Sequence, residues 1–138
     1  MRRREVPDLV CVNPADVEKL WTRIETPLRR AIDRTQLSDF ASCEAALFTG
    51  SHLLWLAIEG EKIEAMATTE LAKIGDRKIC TIVACSGEER EHWLPLIAGL
   101  EKFAKDEGCD AMRIYGRKGW QRVLDGYRVE NVVMEKRL

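Results

Sequence analysis

Between residues 52 and 85 the chain runs through three apolar segments separated by two short polar turns, and few folds accommodate that arrangement. His52 to Ile58 is almost entirely apolar, which predicts a strand covered on both faces. Glu59-Gly60-Glu61-Lys62 predicts a turn. From there the pattern alternates. Ile63, Ala65, Ala67, Thr69 and Leu71 share one side, and Lys62, Glu64, Met66, Thr68 and Glu70 the other. Period two predicts a half-exposed strand. Gly75-Asp76 makes a second turn, and Ile79 to Cys85 a third, buried strand. Together they predict an antiparallel meander.

The flanks are helical. Residues 8–13 form a short apolar run, read as a first strand, ended by Asn13-Pro14. Asn is a good N-cap and Pro suits the first helical position. Val17, Leu20, Trp21, Ile24, Leu28, Ala31 and Ile32 then fall on one helical stripe. Pro27 interrupts it and is expected to kink the helix or split it at Thr26. A second helix is expected from about Ser38 to Phe48, stopped by Gly50.

After the meander a long helix carries Trp93, Ile97, Leu100 and Ala104 on its buried stripe and ends near Gly108. Two starts compete. Ser86 and Glu89 have capping-box spacing, whereas Pro95 belongs in a first turn and favours a start near His92. The chain closes with a strand over Met112–Tyr115, a short basic helix over 117–125, a Gly126-Tyr127 step, and a last strand from Val129 to Lys136. The order β-α-α-β-β-β-α-β-α-β predicts an α/β (α+β) fold with a mixed, mostly antiparallel central sheet flanked by helices, as one domain over 1–138.

Charge and cysteines narrow the function classes. Net charge is −1, so no global field favours nucleic acid or an anionic membrane. Basic residues concentrate only at Arg2-Arg3-Arg4 and between Arg113 and Arg128, without a recognition motif. The five cysteines have no C-x-x-C pair, and two of them, Cys80 and Cys85, sit in an apolar run. Free thiols in a reducing compartment are expected. His52 and His92 lack ligand partners at metal spacing, so no metal is expected. The lack of an h-region or membrane-length apolar run implies a cytoplasmic protein.

The element order and the closing Met112-Arg-Ile-Tyr-Gly-Arg-Lys-Gly-Trp-Gln-Arg-Val-Leu-Asp-Gly-Tyr127 resemble the GNAT (GCN5-related N-acetyltransferase) fold over essentially the whole chain. The resemblance implies transfer of an acetyl group from acetyl-CoA to an amine, small-molecule or peptide. In that family, backbone N–H groups where the fourth strand meets the long helix hold the CoA pyrophosphate, the general use of a helix N-terminus for anions. The corresponding residues are Val83, Ala84, Cys85, Ser86, Gly87 and Arg90. The family's Q/R-x-x-G-x-G/A signature is absent there. Gly87 alone lacks a Cβ, and Glu88, Glu89 and Glu91 stand where a diphosphate would sit. Those carboxylates suit a capped helix with no ligand; a CoA loop requires them to point outward.

For catalysis, the resemblance implies a tyrosine acid for the departing thiolate. Tyr127 is the first candidate and Tyr115 the second; a phenol near pKa ~10 can protonate a thiolate near ~8.5. Tyr127 and Trp120 would equally serve as packing residues at a sheet edge. Glu70, or Glu64 on the same side of the strand, is the candidate general base, against the alternative of a solvated face. Cys85 beside a helix start is a possible nucleophile or a buried thiol. More narrowly, the chain resembles short GNAT-like proteins encoded beside virion genes of tailed phages and prophages. That resemblance implies a second function, a catalytically inactive assembly or interaction module with a virion protein partner. Trp120 with Arg117, Lys118 and Arg122 would suit such an interface.

Overall fold

The computed structural model of the chain describes residues 7–87, 90–116, 120 and 122–138, without the side chains of 90–93. The described elements are β1 (Asp8–Val12), a single 3-10 turn (Pro14–Asp16), α1 (Val17–Thr35), α2 (Phe40–Thr49), β2 (His52–Glu59), β3 (Lys62–Ile74), β4 (Arg77–Gly87), α3 (Arg90–Asp106) and β5 (Ala111–Ile114). The strands form one sheet in sequential order, antiparallel from β1 to β4 and parallel between β4 and β5. The predicted mixed, mostly antiparallel sheet with helices is therefore the observed architecture.

Helices cover both faces of the sheet. On one, Ile24, Leu28, Ala31 and Ile32 of α1 and Cys43 and Leu47 of α2 meet Leu54, Leu56, Met66, Val83 and Ala84. On the other, Leu96, Ile97 and Leu100 of α3 meet Trp55, Ala57, Ala65, Ala67 and Ile82. The small side chains of Ala57, Ala65 and Ala67 leave room there for Trp55, whose ring lies 4.9 Å from that of Phe103. Its indole N–H donates to the Thr69 hydroxyl at 3.0 Å, which removes the cost of burying both groups. Burial of both faces corrects the half-exposed reading of β3: Ala65 to Thr69 are all buried. Period two describes two different cores, one beneath each helical layer.

Two irregularities set the register. Across β2–β3 the pairing shifts by one residue between Ala57 and Ile58, leaving Glu64 as the extra residue of β3. Across β3–β4 it shifts at Thr68/Thr69, leaving Val83 as the extra residue of β4. Bulges of this kind re-aim the side chains that follow them. Val83 and Ala84, adjacent in sequence, consequently pack in the same core.

Several boundaries differ from expectation. α1 runs unbroken through Pro27, because Ile24 and Leu28, both buried, anchor the turn on either side. α2 starts at Phe40 rather than at about Ser38, capped by Asp39, which accepts from Ser42 N–H at 3.0 Å. Ser86 is a strand residue opposite Met66 and α3 starts at Arg90, so the Ser86 capping box does not form. Of the expected 117–125 helix, residues 117–119 and 121 lie outside the described residues. Of the rest, Trp120 and Arg122 are 3-10 helical and a turn follows, with Val123 and Leu124 N–H donating to the Trp120 carbonyl at 3.1 and 3.0 Å. The expected last strand over Val129–Lys136 is not a strand. In extended form neither of its sides is continuously apolar, since Glu130, Asn131, Glu135 and Lys136 interrupt both.

Candidate functional site

β4 is paired differently along its two edges. Toward β3 the ladder runs from Arg77 to Gly87. Toward β5 it ends at Ile82 opposite Ile114, closed by Tyr115 N–H donating to the Ile82 carbonyl at 3.0 Å. From Val83 to Gly87 that edge has no strand partner among the described residues. A narrow gap of about 20 Å³ opens there, lined by Ala31, Arg34, Thr35, Cys85, Tyr115, Gly116 and Trp120. It joins α1 on one face of the sheet to Trp120 on the other. Arg34, in the last turn of α1, lines this opening.

Beside the gap lies a larger cleft of about 280 Å³, lined by Leu37, Ser38, Asp39, Ser42, Cys43, His52, Glu70, Val83 and Tyr115. Tyr115 and the bulge residue Val83 connect it to the edge of β4. Inside the cleft, His52 and Glu70 face each other across β2 and β3, with imidazole Nε2 and carboxylate Oε2 3.1 Å apart. The His52 side chain is 13% exposed and the Glu70 side chain 46%. His52 Nδ1 is buried without a hydrogen-bond partner. A carboxylate held by a shielded imidazole, and still open to solvent, is equipped to accept a proton from a ligand.

Asp39 contributes a second carboxylate, held below the usual carboxylate range by hydrogen bonds from the Ser42 hydroxyl and backbone N–H. The cleft thus carries carboxylates at Asp39 and Glu70 and no Lys or Arg among its lining residues, which favours a cationic guest.

The sequence-predicted residues separate into groups. Glu70, Tyr115, Val83 and Cys85 come together around the cleft and the gap. Ala84 is buried under α1, while Ser86 and Gly87 extend the same strand toward α3. Arg90 starts α3, and its side chain, with Glu88, Glu89 and the Glu91 side chain, lies outside the described residues. Glu64 sits at the far end of β3, 3.6 Å from Lys62. Tyr127 packs on the α3 face with Leu96, Ile97 and Leu124. Burial, and then the nearby Glu101 carboxylate, push its phenol well above the ordinary range. Burial pushes the Cys85 thiol up to about 12, so it stays protonated and unreactive at neutral pH.

Sequence reasoning missed His52, Asp39 and Arg34. His52 had a usable signal, since it opens the strand whose hairpin partner carries Glu70 in its second half. Counting back from the turn, however, pairs His52 with Thr69. Only the extra residue at Glu64 moves Glu70 into place.

No protein-family model and no curated protein sequence matches the chain. Solved structures do. An aminoglycoside acetyltransferase from an uncultured soil metagenomic sample, in complex with sisomicin, superposes with a TM-score of 0.71 at 14% identity, covering 95% of each chain. A GNAT family acetyltransferase of Staphylococcus aureus gives 0.67 at 18% identity, covering 97% of this chain and all of the other. A predicted acetyltransferase of Clostridium acetobutylicum, with acetyl-CoA, gives 0.64 at 12% identity, covering 93% and 95%. At these identities the likeness establishes a fold, and the fold is that of the GNAT acetyltransferases.

Proposed function

We infer that the protein is a GNAT-fold N-acyltransferase that moves an acetyl group from acetyl-CoA to a cationic amine bound in the Glu70–His52 cleft. The observation that carries this reading is the early end of β4–β5 pairing at Ile82, beside a cleft that holds a proton acceptor and a phenol.

The residues fit the donor at that point. The free edge from Val83 to Gly87 offers backbone donors and acceptors for the amides of a pantetheine arm, beside the small side chains of Ala84, Cys85 and Ser86. Tyr115 and Trp120 line the gap, so their rotation sets its width. When bound, the donor supplies an acyl thioester at the mouth of the cleft. Asp39 and Glu70 attract the ammonium form of the acceptor. Glu70, steadied by His52, takes the proton that must leave before the nitrogen can attack. Tyr115, shared by gap and cleft, is placed to return a proton to the departing thiolate. Tyr127, packed beneath α3, serves better as support for the closing turn than as the acid.

The Glu88-Glu89-Arg90-Glu91 run favours a second reading, a catalytically silent GNAT-fold module that binds a protein, such as a phage assembly partner. Calorimetry with acetyl-CoA, followed by thiol-release assays over primary amines and polyamines, separates the two. Saturable CoA binding with amine-dependent thiol release is expected. Absence of binding at millimolar acetyl-CoA would overturn the enzyme reading.

A further inference from the structure

Charge around the site is sorted by side. Asp39 and Glu70 line the cleft, and Arg34 is the only Lys or Arg among the described residues that line the gap or the cleft. Ala31, Arg34 and Thr35 stand at i, i+3 and i+4 of α1, so one side of the helix brings all three to the gap. Ala31 is buried there, whereas Arg34 is exposed. Other basic residues of α1 are engaged elsewhere. Lys19 pairs with Asp16 at 3.2 Å, Arg23 donates to the Glu61 carbonyl, and Arg29 pairs with Glu25 at 3.4 Å and lies over the Phe40 ring. The Arg34 side chain has no ion pair or hydrogen bond among the described residues. A cation in the last turn suits the helix dipole, but any side of the helix would serve that role equally.

Resting on the acyl-transfer reading above, we propose that Arg34 selects a donor whose acyl group ends in a carboxylate, a short dicarboxylic thioester of the malonyl or succinyl kind. A guanidinium holds a carboxylate by paired, charge-assisted hydrogen bonds. Cys85 lies on the open β4 edge that this reading gives to the donor, and Ala31, Arg34 and Thr35 line the same gap from α1. The gap is about 20 Å³, and Ala31 is the one apolar residue that α1 gives it, so a long apolar chain finds little lining there. Asp39 and Glu70 repel a carboxylate from the cleft, which keeps an acidic acyl terminus on the Arg34 side and the ammonium on the Glu70 side.

Transfer balances as for any acyl group. The C–S bond breaks as the C–N bond forms. Glu70 takes one amine proton, and the second matches the proton that Tyr115 gives to sulfur. The amine loses its positive charge and gains a carboxylate. Asp39 and Glu70, which attract the substrate, therefore repel the product and favour its release.

Calorimetry with succinyl-CoA, acetyl-CoA and free CoA, on the full chain and on Arg34→Gln, tests this without an acceptor. Succinyl-CoA is expected to bind about 10- to 100-fold more tightly than acetyl-CoA, the size of a charge-assisted hydrogen bond, and Arg34→Gln is expected to bring the two affinities together. Arg34 is exposed and Gln suits a helix, so the variant should keep its circular dichroism. Equal affinity for the two thioesters in the full chain, or a preference that survives Arg34→Gln, overturns the assignment and leaves the acyl-transfer reading standing. An equal loss for all three ligands in Arg34→Gln also overturns it, since Arg34 would then hold the part they share. Absence of binding by all three overturns both readings.

Discussion

The two edges of β4 carry the same strand and opposite tasks. Along β3 the ladder continues to Gly87, absorbs one extra residue at Val83, and buries side chains under helices on both faces. Along β5 it stops at Ile82 and leaves an open edge beside the cleft. Backbone groups left unpaired in a dry core are costly, so an open edge persists only where water or a ligand reaches it. The paired edge fixes the position of every residue that the open edge displays.

That contrast can be broken most severely at Glu70. Glu70→Gln keeps the shape of the cleft and removes the proton acceptor. Its kcat/KM toward amines should fall by about 10²–10⁴-fold, the usual contribution of a positioned base, with thermal stability retained. An unchanged rate would remove chemistry from the open side altogether. Next in size is Ile82→Ala, at the last residue paired on both edges. Ile82 is fully buried, and truncation there should cost about 2–5 kcal/mol in urea unfolding. A loss below ~1 kcal/mol would mean the junction does not anchor the sheet.

Alkaline titration sharpens the picture of the open edge. The Cys85 thiol is raised from an ordinary 9.0 to about 12 and the Cys80 thiol to about 11, both chiefly by burial. Above pH ~9 the unfolded thiols ionise while the folded ones stay neutral. Stability is thus fully present below that pH and declines as pH rises through the folded values, by up to about 1.4 kcal/mol per pH unit per thiol. Cys85→Ala should flatten that decline in pH-dependent urea melts, and an unaltered slope would show that the thiol is open to solvent.

The smallest effect is expected at Asp39, whose pKa is lowered. Its stabilisation is present above the ordinary carboxylate range and disappears as pH falls through the folded value. Asp39→Asn should therefore lower Tm slightly at pH 7 and not at all in strong acid. A Tm difference that persists in acid would trace to the amide itself rather than to charge.

The meander, the α1 stripe and the long helix were legible because each depends on local periodicity and turn chemistry. Gly50 illustrates this: it adopts φ 84° where the second helix was expected to stop. Pro27 was misjudged because packing on both sides outweighs one missing hydrogen bond. Residues 129–136 were misjudged because strand preference alone does not suffice where neither side of the segment is continuously apolar. At the site, Glu70 was recognisable as a carboxylate on one side of the alternating strand and Tyr115 as the residue closing the next one, whereas His52 was invisible as Glu70's partner.

Sequence alone determined the order of the elements and which faces are apolar, since those follow from spacing along the chain. Tertiary structure decided register and meeting points. One extra residue at Glu64 turns His52 toward Glu70, one at Val83 turns adjacent side chains into one core, and the end of pairing at Ile82 creates the gap. A strand's period is two, so a one-residue slip exchanges its faces, and no local pattern records where that slip falls.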